Sequence, residues 1–146
     1  MRALAVSDDE LIIRTLHRVL AGTFDLEFLV ESRPLARRLV EDGIPATVAD
    51  PKRVDSYVRA DLSPNTCVIV EDTGRRGLKK VVTAIRDAGG SLLYVLHVNG
   101  VEKGRGQDEL RAVVPEISHL DLAELLAVVD ALGGRANRRH RDLFRV

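Results

Sequence analysis

The sequence predicts an α/β fold in which helices cover both faces of a doubly wound, parallel sheet of six strands. Three observations carry that expectation. Apolar runs of strand length alternate with stretches of helical period along the chain. The longest apolar run, "SLLYVLHV" at 91–98, suits a strand buried on both faces, as parallel sheets require. The opening "ALAVSDDELIIRTLHRVL" at 3–20 reads as strand, turn and helix, with aspartates in the turn.

The elements follow in order. "RALAV" (2–6) is the first strand, and Leu11, Ile12, Leu16, Val19 and Leu20 form one helical stripe that Gly22 ends. "LEFLV" (26–30) is the second strand. "RPLARRLVEDG" places Leu35, Ala36, Leu39 and Val40 on one helical face, with Pro34 near its start and Gly43 at its end. "PATV" (45–48) is a short third strand. Asp50-Pro51 reads as N-cap and first helical residue of a short helix with Val54, Tyr57 and Val58 inward. "SPN" turns into "TCVIV" (66–70), the fourth strand. Leu78, Val81, Val82 and Ile85 define a helix closed by Gly89-Gly90, and 91–98 is the fifth strand.

Beyond it, "NGVEKGRGQDE" (99–109) is polar and glycine-bearing. "LRAVV" (110–114) is expected as a sixth, edge strand. Ser118 would cap a last helix with Asp121 three residues on. Leu122, Leu125, Leu126, Val129 and Leu132 would line its buried side, and Gly133-Gly134 would end it. The expected organisation is one domain over 1–133 and a basic extension over 134–146.

The 146 residues suffice for one domain with a substantial core. Lys+Arg and Asp+Glu balance at 22 each, so net charge gives the molecule no general attraction to nucleic acid or acidic lipid. The local exception is "RANRRHRDLFRV", with five arginines and one acid. The single cysteine, Cys67, excludes an internal disulfide framework and sits in "CVIV" as a small buried hydrophobe. No stretch resembles a signal peptide or spanning helix, so the protein is expected to be cytoplasmic and not membrane-embedded.

Ligands of such sheets sit beyond the carboxyl ends of the strands, near the first one. That rim carries Ser7, Asp8, Asp9, Glu31, Ser32, Asp50, Glu71, Asp72 and Thr73, and all but Glu71 are taken as candidate ligand-binding residues. Two machines compete for it. Asp8, Asp9 and Asp50 resemble the acidic pair and phosphoacceptor of receiver domains, which hold a divalent cation through oxygen ligands. The receiver pattern then breaks: Thr73 comes late behind Glu71-Asp72, the fifth strand ends "HVNG" without a lysine, and the chain continues into another strand–helix unit.

The second reading spans about residues 2–133. From "FLVESRPLARRLVEDGIPATVAD" through "YVLHVNG", the chain resembles the N-terminal domain of the TrkA/RCK family, a Rossmann-like fold that regulates potassium transport. The resemblance assigns Glu31 to the acid that holds a ribose. Ala49-Asp50 stands where that family has Gly-Asp, and Asn99 follows the fifth strand. "LRAVVPEISHLDLAELLAVVDAL" matches its last strand and helix. The resemblance implies NAD(H) or an adenine nucleotide as ligand and a homodimer with no enzymatic activity of its own. Its implied partner is a membrane potassium transporter subunit or an enzyme of the DHH phosphoesterase type.

The departure lies in the first turn. The family's G-x-G-x-x-G aligns with Ser7, Asp9 and Ile12, so all three glycines are replaced. Two like charges ~4 Å apart repel by roughly 1 kcal/mol in water and about 4 at a partly buried site. Asp8 and Asp9 should therefore impair pyrophosphate binding, while acids there stabilise a helix N-terminus by ~0.3–1 kcal/mol each. That structural use is preferred here to a metal site.

The remaining motifs are weaker. His17, His97, His119 and His140 show no metal-ligand spacing and are expected in structural roles. G-x-S-x-G, P-loop and H-E-x-x-H patterns are absent from the sequence. "GRRGLKK" (74–80) clusters basic residues beside the rim and is read as a solvated face. Leu143, Phe144 and Val146 of the tail are candidates for docking on a second copy.

Overall fold

The computed structural model describes residues 2–72, 77–97, 110, 113, 117–127 and 131. Within them run β1 (Arg2–Val6), α1 (Glu10–Leu20), β2 (Asp25–Val30), α2 (Arg33–Glu41) and β3 (Ala46–Val48). They are followed by α3 (Val54–Arg59), β4 (Cys67–Asp72), α4 (Leu78–Asp87), β5 (Leu92–His97) and β6 (Ser118–Asp121). The strands form one parallel sheet in the order β3-β2-β1-β4-β5-β6. This is the doubly wound arrangement expected, with its reversal of strand order beside β1.

Alternation along the strands divides the core in two. Ala3, Ala5, Phe28, Val30 and Ile69 face α1 and α2, where Ile13, Leu16, Leu20, Leu35 and Leu39 meet them. The small Ala3 and Ala5 leave room for the longer side chains of α1. Leu4, Val6, Leu29, Val68, Val70 and Val95 face the other layer and pack on Tyr57, Val81, Val82 and Ile85 of α3 and α4. A short ionic chain joins the first two helices: Glu10 contacts Arg38 at 2.9 Å, and Arg14 reaches Asp42 at 2.7 Å.

Several expectations at the residue level are corrected. On α1 the buried face is Ile12, Ile13, Leu16 and Leu20, while Leu11 is 75% exposed. At 100° per residue, Leu11 shares its side with Thr15 and Arg18 rather than with Leu16. Val40, Val54 and Val58 likewise point outward, leaving Tyr57 as the apolar anchor of α3. Asp50 does not cap α3. Its Oδ1 accepts the N–H of Lys52 at 2.9 Å, closing a local turn, so the helix starts only at Val54 after Arg53.

The sixth strand also moves. Leu110 and Val113 are helical, and the strand forms at Ser118–Asp121, paired with Tyr94–His97 of β5. The three-residue spacing of Leu110 and Val113 satisfies a helical period, and both pack in the α3/α4 layer. Ile117 and His119 then turn into that layer, while Leu120 turns to the other. Ser118 is therefore a strand residue. The capping role falls to Asp121, whose Oδ1 accepts from Glu124 N at 2.7 Å, while Glu124 Oε1 accepts from Asp121 N at 3.4 Å. The loop at 99–109, Val129, Leu132, Gly133-Gly134 and the extension 134–146 lie outside the described residues.

Candidate functional site

The carboxyl ends of β1, β2 and β4 open on a crevice of about 220 Å³. That is below the ~300–1,000 Å³ of sites enclosing drug-sized ligands. Its lining includes Ser7, Asp8, Glu31, Glu71 and Asp72, with Lys52 and Gly77 across from them. Four carboxylates thus face a single ammonium among the described residues.

Ser7 ties the floor together. Its backbone N–H donates to Leu29 O at 3.3 Å, its hydroxyl donates to Glu71 Oε2, and its Oγ accepts the N–H of Asp9 at 3.1 Å. Asp8 Oδ1 accepts the N–H of Glu31 at 2.8 Å, which locks the turn after β1 to the end of β2. Asp9 has extended dihedrals and is the N-cap of α1, its Oδ1 accepting the N–H of Ile12 at 3.2 Å. Both aspartates of the turn are therefore engaged with backbone amides. The Asp9 carboxylate thus lies on a helix-terminal amide of the kind that a phosphate takes in dinucleotide folds. Glu31 follows the end of β2 and lines the crevice as an exposed carboxylate.

The other candidate residues separate from the crevice. Ser32 caps α2, its Oγ accepting the N–H of Leu35 at 3.3 Å. Asp50 lies at the end of the edge strand and lines a different hollow of about 290 Å³ with Glu27, Thr47, Arg53 and Arg59. Thr73 lies outside the described residues. The position of Asp50 also removes the receiver alternative. A receiver-type sheet has the order 2-1-3-4-5, which sets the third strand beside the first. Here β2 separates them.

Lys52, Gly77 and the histidine pair beside Asp72 were not among the candidates. Gly77 has φ +114, and a Cβ there would sit 2.7 Å from Lys52 Cε and 3.0 Å from its Nζ, so the lysine lies against a position that suits glycine. Asp72 is 6% exposed, with Oδ2 3.2 Å from His97 Nδ1. His97 Nε2 in turn lies 2.8 Å from His119 Nδ1. Both rings are buried. The available signal was a pair of polar residues, Asp72 and His97, ending two adjacent apolar runs.

No protein-family model matches the sequence, and the comparison with curated proteins finds no match. Two solved structures share the fold. One is the NAD(P)-binding domain of an exopolyphosphatase-related protein from Archaeoglobus fulgidus. It is 17% identical with a TM-score of 0.62, covering 94% of this chain and 98% of that one. The other is the TrkA-N domain of the inner membrane protein ybaL from Escherichia coli. It is 15% identical with a TM-score of 0.57, covering 99% of this chain and 96% of that one. The chain therefore has the fold of TrkA-N domains, as the resemblance in sequence implied.

Proposed function

We propose that the chain is a non-enzymatic regulatory domain of the TrkA-N (RCK) type, with weakened dinucleotide binding, that senses a small ligand in the crevice beyond β1, β2 and β4. The observation that carries this reading is the contact of Asp9 Oδ1 with Ile12 N at 3.2 Å. It fills the phosphate position and adds a negative charge there, while Glu31 keeps its place for a ribose hydroxyl. The ligand of this reading is a ribose-bearing compound with fewer phosphates than a dinucleotide, adenosine or AMP being the simplest probes.

The domain would act as a homodimer and pass ligand occupancy to a larger partner. A partner in potassium transport is the first choice, and the likeness to a domain of an inner membrane protein supports it. An enzyme of the phosphoesterase type is the second, supported by the likeness to a domain of an exopolyphosphatase-related protein.

Thermal unfolding with adenosine, AMP, ATP, NAD⁺ and NADH tests the ligand. A ligand at 100 times its Kd adds about 2.7 kcal/mol of stability. Adenosine or AMP should raise the midpoint more than NADH does. Asp9→Asn keeps a capping side chain and removes the charge, so it should strengthen the NADH response, and Asp9→Gly should do so further. A wild-type response to NADH as large as that to AMP would overturn the reading. Light scattering that shows only monomer would remove the dimer.

A further inference from the structure

The ligand reading leaves unused a buried line of three titratable groups. Asp72 and His97 are register partners on β4 and β5, and His119 of β6 pairs one pleat back, opposite Val95. The contacts are 3.2 Å from Asp72 Oδ2 to His97 Nδ1 and 2.8 Å from His97 Nε2 to His119 Nδ1. The two rings lie 5.1 Å apart at 23°. His97 is 4% and His119 8% exposed, so bulk water does not screen the line. Asp72 forms one wall of the crevice.

We infer that His97 and His119 are positioning residues for Asp72, the imidazole pair setting the charge that Asp72 presents to the crevice and so linking ligand binding there to a proton. The inference rests on the reading of the crevice as a ligand site. A 2.8 Å contact between two ring nitrogens holds one hydrogen, so one ring donates and the other accepts. His97 Nδ1 lies 3.2 Å from the Asp72 carboxylate without an aligned hydrogen bond to it, so ring and carboxylate are coupled by charge. One further proton makes an imidazolium shared by the pair and offset by the Asp72 anion. A second would set two cations about 5 Å apart in a buried place, so the pair takes up one proton as a unit.

The bound proton offsets Asp72, and the crevice loses one negative charge. A ligand that donates hydrogen bonds to the carboxylates prefers the neutral pair, and its binding releases the proton. Among the described residues, Asp121 is a second carboxylate beside the line, as the register partner of His97 on β6. Glu71 turns to Ser7, Asp121 caps the helical segment 122–127, and Lys52 lies across the crevice. Lys79 and Lys80 of α4 are exposed. Leu78 and Val81 of α4 line the crevice wall beside Asp72, and Leu110, Val113 and Ile117 supply the apolar side of the layer.

The test is a titration of the full chain from about pH 5 to 8, the range in which imidazoles change charge, followed by NMR of the two rings and of the Asp8 and Glu31 amides. Both rings and both amides should share one midpoint. Asp72→Asn should lower that midpoint, because it removes the anion beside the imidazolium. His119→Gln, which leaves Asp72 and the crevice lining in place, should separate the His97 midpoint from the wild-type value. Independent midpoints at the two rings, or amides that do not follow them, overturn the inference. Adenosine affinity at each pH is the second measurement, and its Kd should rise several-fold below the shared midpoint. A chain that binds no adenosine but keeps the shared midpoint supports the inference and rejects only the nucleoside reading. A chain that binds adenosine with a flat pH profile rejects the inference and leaves that reading intact.

Discussion

Asp8 Oδ1 accepts the backbone N–H of Glu31 at 2.8 Å, so the acid after β1 holds in place the residue that closes β2. The same amide would otherwise face water at the crevice mouth. The contact joins residues 23 apart in sequence and fixes the spacing of two strand ends on which the crevice depends.

Asp8→Ala should therefore loosen the Glu31 side of the crevice. Loss of one hydrogen bond to a charged, exposed acceptor is expected to cost about 1 kcal/mol, read by urea unfolding. Binding of AMP should weaken by more than that stability change implies. An unchanged AMP affinity would show that Glu31 needs no such support.

Ser32 makes a useful contrast. It stands off the crevice lining and caps α2, its Oγ accepting the N–H of Leu35. Ser32→Ala should lower stability by about 1 kcal/mol, within the ~0.5–2 typical of lost N-caps. Ligand affinity should stay at the wild-type value in the same titration.

Tyr57 couples the core to the crevice rim. Its ring is fully buried, and its hydroxyl donates to Pro51 O at 2.6 Å. Burial, aided by the nearby Asp50 charge, pushes the phenol well above its ordinary range and keeps this donor protonated. Tyr57→Phe leaves the Pro51 carbonyl without that partner and should cost about 1–3 kcal/mol. Because Pro51 and Lys52 line the crevice, the amide of Lys52 should also shift in the NMR spectrum. A spectrum changed only within α3 would contradict the coupling.

The fold was legible because parallel strands write long apolar runs, and β1, β2, β4 and β5 all stand where those runs stand. The sixth strand was misplaced for a physical reason. "LRAVV" satisfies either period, and only pairing with β5 decides for Ser118–Asp121, a contact invisible in local sequence. The site divided in the same way. Ser7, Asp8, Glu31 and Asp72 are strand-end residues that line one crevice, whereas Asp9, Ser32 and Asp50 stand off its lining and accept nearby backbone N–H groups. Such backbone contacts depend on turn geometry that a sequence does not display. The Asp72–His97–His119 line needed the register of three strands before it could be seen.

Cys67 gives the last prediction, on pH. It is 9% exposed, and burial pushes its thiol from 9.0 up to about 11. Below about pH 9 the thiol is protonated in folded and unfolded chains alike, and its full contribution is present. Between about 9 and about 11 the unfolded chain releases the proton while the folded one keeps it, so the unfolded state binds fewer protons. The Cys67 contribution to stability should then fall by about 1.4 kcal/mol per pH unit across that window and level off above it. Tyr57, raised by burial, and Tyr94, raised by burial and then the Cys67 charge, add a decline of the same sign toward higher pH. Cys67→Ala removes the share that depends on the thiol: urea midpoints followed from neutral to alkaline pH should decline less steeply in the variant than in the parent. In the folded parent at neutral pH the thiol should also react slowly with a disulfide reagent and rapidly once urea is added. Parallel declines in parent and variant, or fast labelling of the folded chain, would show that Cys67 does not sit in the dry β1–β4 layer described here.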